Sequence, residues 1–230
     1  MRKQEFYTGI LTFLFFCISS QAFSQTNQTL FFGDPTTFKD PAENQTYRLK
    51  PEEGIGIMIE NKKKVTLKTI YVCVEKTLQS TAPFDVSIKK HRGKLTPYYL
   101  HPAEEFLDLL PQPYICRAIN PGLYKIDIEE FRIKLNSDFF VLLSVPQMRD
   151  KTFDYVKKET IPKLGASGNI TGHSEQEVLY YGPTFCAYPL GIKNIYYFLL
   201  TTNDKAKKEY AYSPNKGRHL PMITVEYVNE

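Results

Sequence analysis

Residues 124–145 read YKIDIEEFRIKLNSDFFVLLSV. Tyr124, Ile126 and Ile128 alternate with Lys125, Asp127 and Glu129, and Phe131, Ile133 and Leu135 alternate with Arg132 and Lys134. Successive side chains leave a pleated backbone on opposite faces, so a period of two predicts strands with one dry face. Asn136-Ser137-Asp138 carries turn chemistry, and Phe139 to Val145 then runs apolar on both faces, which predicts a central strand.

The same pattern extends in both directions. Ile55, Ile57 and Ile59 alternate with Gly54, Gly56 and Met58, and the two glycines predict close backbone packing. Asn61-Lys62-Lys63 makes a turn into Val65 and Leu67. The apolar phase then slips at Lys68-Thr69 before resuming at Ile70, Val72 and Val74, which predicts a β-bulge. Phe84, Val86 and Ile88 form a further strand, Tyr114 to Ile119 is extended, and Asn120-Pro121-Gly122 turns. Val178 to Tyr181, Phe185 to Tyr188, Ile195 to Leu200 and Met222 to Val228 complete the set. Helix is expected only over Ala103 to Leu110, opened by Pro102, with Glu104 and Glu105 in its first turn and Pro111 ending it.

Many short strands without intervening long helices exclude a parallel α/β sheet. The expected fold is all-β, a jelly-roll-like two-sheet sandwich, with an immunoglobulin-like sandwich as the alternative. Residues 42–230 form its single domain, preceded by an extended segment over 25–41. Residues 146–177 read as one long loop, either functional or a disordered excursion.

At the amino terminus Arg2 and Lys3 precede an apolar run from Gly9 to Ile18, and Ala22-Phe23-Ser24 offers small residues at both cleavage-determining positions. The run is too short to span a bilayer, so residues 1–24 are expected to be a signal peptide cut after Ser24. The expected location is exported: periplasm, outer-membrane surface or extracellular space. No run in 25–230 is long enough to be transmembrane.

The chain carries 29 Lys and Arg against 25 Asp and Glu. The excess is spread along the sequence, in short clusters at 62–64, 89–92 and 205–208 that read as solvated strand ends, and it excludes a nucleic-acid-binding stripe. After export Cys73, Cys116 and Cys186 remain, all among apolar neighbours. Three thiols allow at most one disulfide; the expectation is buried free thiols, and no C-x-x-C spacing marks a metal or redox site.

No catalytic residue stands out. Gly172-His173-Ser174-Glu175-Gln176 begins like the nucleophile elbow of serine hydrolases but lacks its second glycine and its strand-to-helix setting. His91, His101, His173 and His219 have no metal-ligand spacing and read as exposed loop residues, so no metal or cofactor is expected. Aromatic residues are plentiful as Tyr and Phe, with Trp absent. The pairs Tyr98-Tyr99 and Tyr180-Tyr181, with Tyr196-Tyr197, are candidate stacking platforms for a ligand; in each pair one ring is expected to face the core and one the solvent.

Several segments resemble a group of exported, mostly uncharacterised β-sandwich proteins of Bacteroidetes-type bacteria, associated with carboxypeptidase-regulatory-like modules. The matching residues include Ala22-Phe23-Ser24-Gln25, Gly54 to Lys62, Leu67-Lys68-Thr69-Ile70 and Pro83-Phe84-Asp85-Val86. They continue with Tyr124 to Ile128, Asp138-Phe139-Phe140-Val141 and Ile223 to Tyr227, while Leu123 stands where the group often has Trp. The resemblance implies an outer compartment and a jelly-roll-like fold, and carries no catalytic residues. These readings together lead to a non-enzymatic binding or envelope-structural protein whose partner is an envelope protein or glycan. The alternatives are a carbohydrate-binding module and a jelly-roll glycan-active enzyme or hydrolase.

Overall fold

A computed structural model describes residues 30–32, 46–75, 82–117, 121–165, 167–188, 196–202, 208–214 and 219–230. The expected signal peptide and most of the 25–41 segment lie outside these residues, as does part of the basic cluster at 205–208. The chain forms β1 (Leu30–Phe32), β2 (Thr46–Leu49), β3 (Gly54–Ile59), β4 (Val65–Val74) and β5 (Pro83–His91). There follow β6 (Leu100–Pro102), β7 (Phe106–Asp108), β8 (Tyr114–Arg117), β9 (Gly122–Asp127), β10 (Lys134–Leu135) and β11 (Phe139–Ser144). The last strands are β12 (Asp154–Leu164), β13 (Ile170–Cys186), β14 (Tyr196–Thr202), β15 (Lys208–Pro214) and β16 (Ile223–Asn229).

Two antiparallel eight-stranded sheets pack as a sandwich. Sheet A runs β1-β16-β4-β13-β12, with β9 and β10 also on β4 and β2 on β13; sheet B runs β6-β15-β14-β3-β11-β5-β7, with β8 on β5. The chain repeatedly crosses between sheets, so neighbours in sequence such as β3, β4 and β5 supply both walls. Their inward residues, among them Ile55, Ile57, Val72, Phe84, Ile88, Val141 and Phe185, form the main core. As expected, β11 is central, paired with β3 and β5 and buried from Phe139 to Leu143. The bulge also lies where the phase slips: Thr69 faces Glu226 and Leu67 faces Tyr227, leaving Lys68 as the extra residue. Asn61 closes its turn by accepting the Lys63 N–H at 3.0 Å.

Sheet B has a second dry face. Its edge strands β6 and β7 stand six ladder spacings apart in the strand order, roughly 29 Å if the sheet were flat. Yet a single 3-10 turn, Ala103–Glu105, joins them, and four Cα steps reach about 15 Å at most. The sheet must therefore curl until its edges meet. Phe106 on β7 lies 5.1 Å from the Phe140 ring on β11 and 4.6 Å from the Tyr210 ring on β15. With Leu142, Leu200 and Tyr212 these rings fill the inside of the curl. Gly54 and Gly56 face the same side, and a Cβ at Gly54 would come within 3.1 Å of Ser144 Cβ and 3.2 Å of Leu200 Cβ. This is the close packing that the glycines predicted.

Four expectations need correction. Residues 146–177 are not a loop: β12 pairs with β13 from Asp154–Tyr181 to Leu164–Ile170, with one register shift between Lys163 and Leu164, forming a two-stranded ribbon. Residues 103–110 are not a helix beyond the 3-10 turn, because Phe106 must extend to complete the seam. Nor is 131–135 one strand: a 3-10 turn over Glu129–Phe131 leaves only Lys134–Leu135 extended, although Ile133 and Leu135 still point inward. Finally, Cys73 and Cys186 are not free; they form a disulfide across 113 residues with Cα atoms 5.3 Å apart, while Cys116 is a buried free thiol whose pKa burial pushes up to about 11.

Candidate functional site

The tyrosine pairs separate. Tyr180 and Tyr181 point to opposite faces of β13, as a strand requires, but both faces are covered. Tyr181 is fully buried, donates its hydroxyl hydrogen to Pro83 O at 2.8 Å, and is pushed by burial to a pKa of about 12. Tyr180 lies beside its cross-strand partner Tyr155, with ring centroids 5.9 Å apart, and burial followed by its hydrogen bond with Glu159 raises its pKa. Neither can serve as a ligand platform. Tyr197 is likewise buried, and the side chain of Tyr196 falls outside the described residues. Tyr98 and Tyr99, by contrast, are 63% and 65% exposed, both on the solvent side, because they occupy a turn in which Tyr98 adopts φ 67°.

That turn is tied to the curl. The Tyr98 N–H donates to Tyr212 O at 2.8 Å, and Tyr212 lines a cleft of about 480 Å³ at one end of sheet B. Met58, Leu95 and Phe140 are apolar members of its lining, whereas Lys90, Arg92 and Lys94 bring positive charge to it. The charge follows from the sequence: Lys89, Lys90 and His91 close β5 in pairing with β7, and Arg92 and Lys94 follow where the chain leaves the sheet. Among the described residues, Lys90, Arg92 and Lys94 form no ion pair, unlike Lys89, which pairs with Asp108. Asp138 is the carboxylate in the lining, and its Oδ1 already accepts the Asn61 N–H at 2.8 Å. Ser137 Oγ, also in the lining, is buried without a hydrogen-bond partner.

At the wall of the cleft, with His91 in its lining, lies a cluster that sequence reading dispersed. His91 and His101 are not exposed loop residues; their side chains are 8% and 9% exposed and flank Glu105. His91 Nε2 is 3.1 Å and His101 Nδ1 3.4 Å from Glu105 Oε2. The hydrogen bond from His91, followed by that from His101, holds the Glu105 carboxyl below its ordinary pKa. The Gly93 N–H donates to His91 Nδ1 at 3.1 Å, and His101 Nε2 lies 3.1 Å from Thr96 O. The i, i+4 spacing of His101 and Glu105 was visible in the sequence, but His91 joins them only because the sheet closes.

A second hollow of about 550 Å³ is lined by Leu110, Tyr114, Ile115, Met148 and Asp85 among others. Burial raises the Asp85 pKa, an effect opposed by Lys208, and its Oδ1 has no hydrogen-bond partner. Among the described residues no helix is long and apolar enough to cross a membrane.

No family model matches this chain, and searches of curated proteins and of solved structures return no match either.

Proposed function

We propose that this is an exported, non-enzymatic binding protein of the cell envelope, whose seam cleft takes a negatively charged glycan. One observation carries the reading: three cationic side chains without ion-pair partners among the described residues surround an apolar and aromatic cleft, with two exposed tyrosines on the adjoining turn. Sugars present apolar ring faces that stack on aromatics, and their carboxylate or sulfate groups seek Arg and Lys. The engagement of Asp138 with the Asn61 backbone favours binding over acid–base work. The Cys73–Cys186 disulfide supports export, since such bonds persist in oxidising compartments.

The test is a glycan array of acidic and neutral oligosaccharides, probed with protein lacking residues 1–24. Binding confined to acidic glycans, weakened on the order of 10-fold or more in Arg92→Glu/Lys94→Glu and by added salt, is expected. Equal binding by the charge-reversed variant, no binding at all, or release of reducing ends from any glycan would overturn the proposal.

A further inference from the structure

We propose that His91, His101 and Glu105 form a site for a divalent cation, best matched to Zn²⁺, which locks the seam of sheet B. The three donors lie within 4.8 Å of one another. A tetrahedral Zn²⁺ with bonds of about 2.0–2.1 Å sets its donor atoms roughly 3.3–3.4 Å apart. The pairs to Glu105 Oε2, at 3.1 and 3.4 Å, already stand near that edge length. Two nitrogens and one carboxylate oxygen suit Zn²⁺ better than Ca²⁺ or Mg²⁺, which prefer oxygen throughout.

The surroundings are arranged as a metal's second layer would be. Coordination through His101 Nδ1 puts the ring proton on Nε2, which lies 3.1 Å from Thr96 O and 3.4 Å from Thr96 N, so Thr96 O becomes the partner that fixes a ligating ring. The His91 and His101 rings pack edge-on against Phe106, at 4.9 and 6.4 Å, so their rotamers are held before any ion arrives. The Arg92 N–H donates to Glu105 O at 2.9 Å, tying the carboxylate's turn to the end of β5. Glu105 is 47% exposed, which leaves the ion an entry path and a fourth position for water.

At His91 one contact must change. The Gly93 N–H points at His91 Nδ1, so the neutral ring carries its proton on Nε2. Coordination through Nε2 moves that proton to Nδ1, and the Gly93 amide must turn away. This gives a readout at a single residue. The three ligands come from β5, β6 and the turn before β7, so bound metal would pin together the strands whose meeting closes the curl. The site stands independently of the glycan reading.

The experiment is titration of metal-stripped full-length mature protein with Zn²⁺, read by calorimetry, native mass spectrometry and the Gly93 amide resonance. One equivalent should bind, with a melting temperature that climbs with free Zn²⁺ and a displaced Gly93 signal. Co²⁺ should give the intense visible absorption of a tetrahedral site. Glu105→Gln, at an exposed position that should fold normally, and His101→Ala should each weaken binding by about 10-fold or more. No bound ion at about 100 µM Zn²⁺ would overturn the proposal and leave Glu105 as a hydrogen-bonded clasp between two rings. Undiminished binding in Glu105→Gln, or a Gly93 resonance that does not move, would overturn it as well.

Discussion

Sheet B brings its edge strands together over a second core, whereas sheet A lets β12 and the first half of β13 run on as a ribbon with solvent on both faces. In the curl, Phe140, Leu142 and Tyr210 are buried on the face away from the main core. In the ribbon, Val156, Leu164, Ile170 and Leu179 remain exposed. Both solutions manage sheet edges. The curl joins β6 to β7; the ribbon carries Lys157, Lys158, Lys163 and Pro162 on its edge strand, where charge and a missing N–H discourage pairing with another chain. The contrast teaches where stability resides, because burial of apolar area dominates folding energy and the ribbon buries little.

The largest test of that contrast is Phe140→Ala. Phe140 is 1% exposed and packs edge-on against Phe106, so its removal should cost about 3–5 kcal/mol in denaturant unfolding. A loss below about 1 kcal/mol would mean that the curl encloses no true core. Next in size is the Cys73–Cys186 bond, which fastens the end of β13 to β4. Replacing both cysteines by alanine should cost about 2–4 kcal/mol, since the bridge closes a long loop in the unfolded chain. Thiol labelling of the unfolded, unreduced protein without residues 1–24 should find Cys116 alone; labelling of all three cysteines would remove the anchor from the account.

How much of this was legible follows the same division. Where burial is one-sided or complete, the sequence spoke clearly: Phe139 to Leu143 announced a central strand, and the slip at Lys68 announced the bulge. Gly54 and Gly56 signalled close approach, though not that Ser144 and Leu200 would be the neighbours of Gly54. The ribbon was illegible because Lys158–Glu177 and Thr160–Glu175 pair across strands without burying anything, so no apolar period marks them. Tyr180 and Tyr181 alternated as expected, but local pattern could not reveal that Tyr180, beside Tyr155 and Glu159, would be buried on the second face too. The disulfide and the His91–Glu105–His101 cluster depend on contacts distant in sequence. The cluster follows from the closing of the curl, and no window along the chain contains that event.

Asp85 probes a place where the outer face of sheet B leaves the curl. It sits between Ser144 on β11 and Ile115 on β8, with one carboxylate oxygen buried and unpartnered. Burial raises its folded-state pKa, so the folded protein holds the proton more tightly than the unfolded chain does. Its charge therefore costs stability above the raised pKa, and that cost fades as pH falls through it toward the ordinary carboxylate range. Asp85→Asn should stabilise the protein by about 1 kcal/mol at neutral pH, an effect limited by partial exposure, and should converge with the parent in acid. An unchanged difference across that range would show that the carboxyl is solvated and the face open.

The smallest expected effect belongs to the ribbon's tip. Leu164 and Ile170 face one another across the hairpin at 66% and 62% exposure, so each already spends most of its surface in water. Leu164→Ser with Ile170→Ser should alter unfolding free energy by no more than about 0.5 kcal/mol. Amides over 157–164 should exchange fast beside those of β11, because a two-stranded ribbon has little cooperative support. A loss above about 1.5 kcal/mol, accompanied by a smaller hydrodynamic size, would reverse the comparison. The apolar pair would then be packed against a second copy in solution, and the ribbon would be an interface whose burial a single chain cannot display.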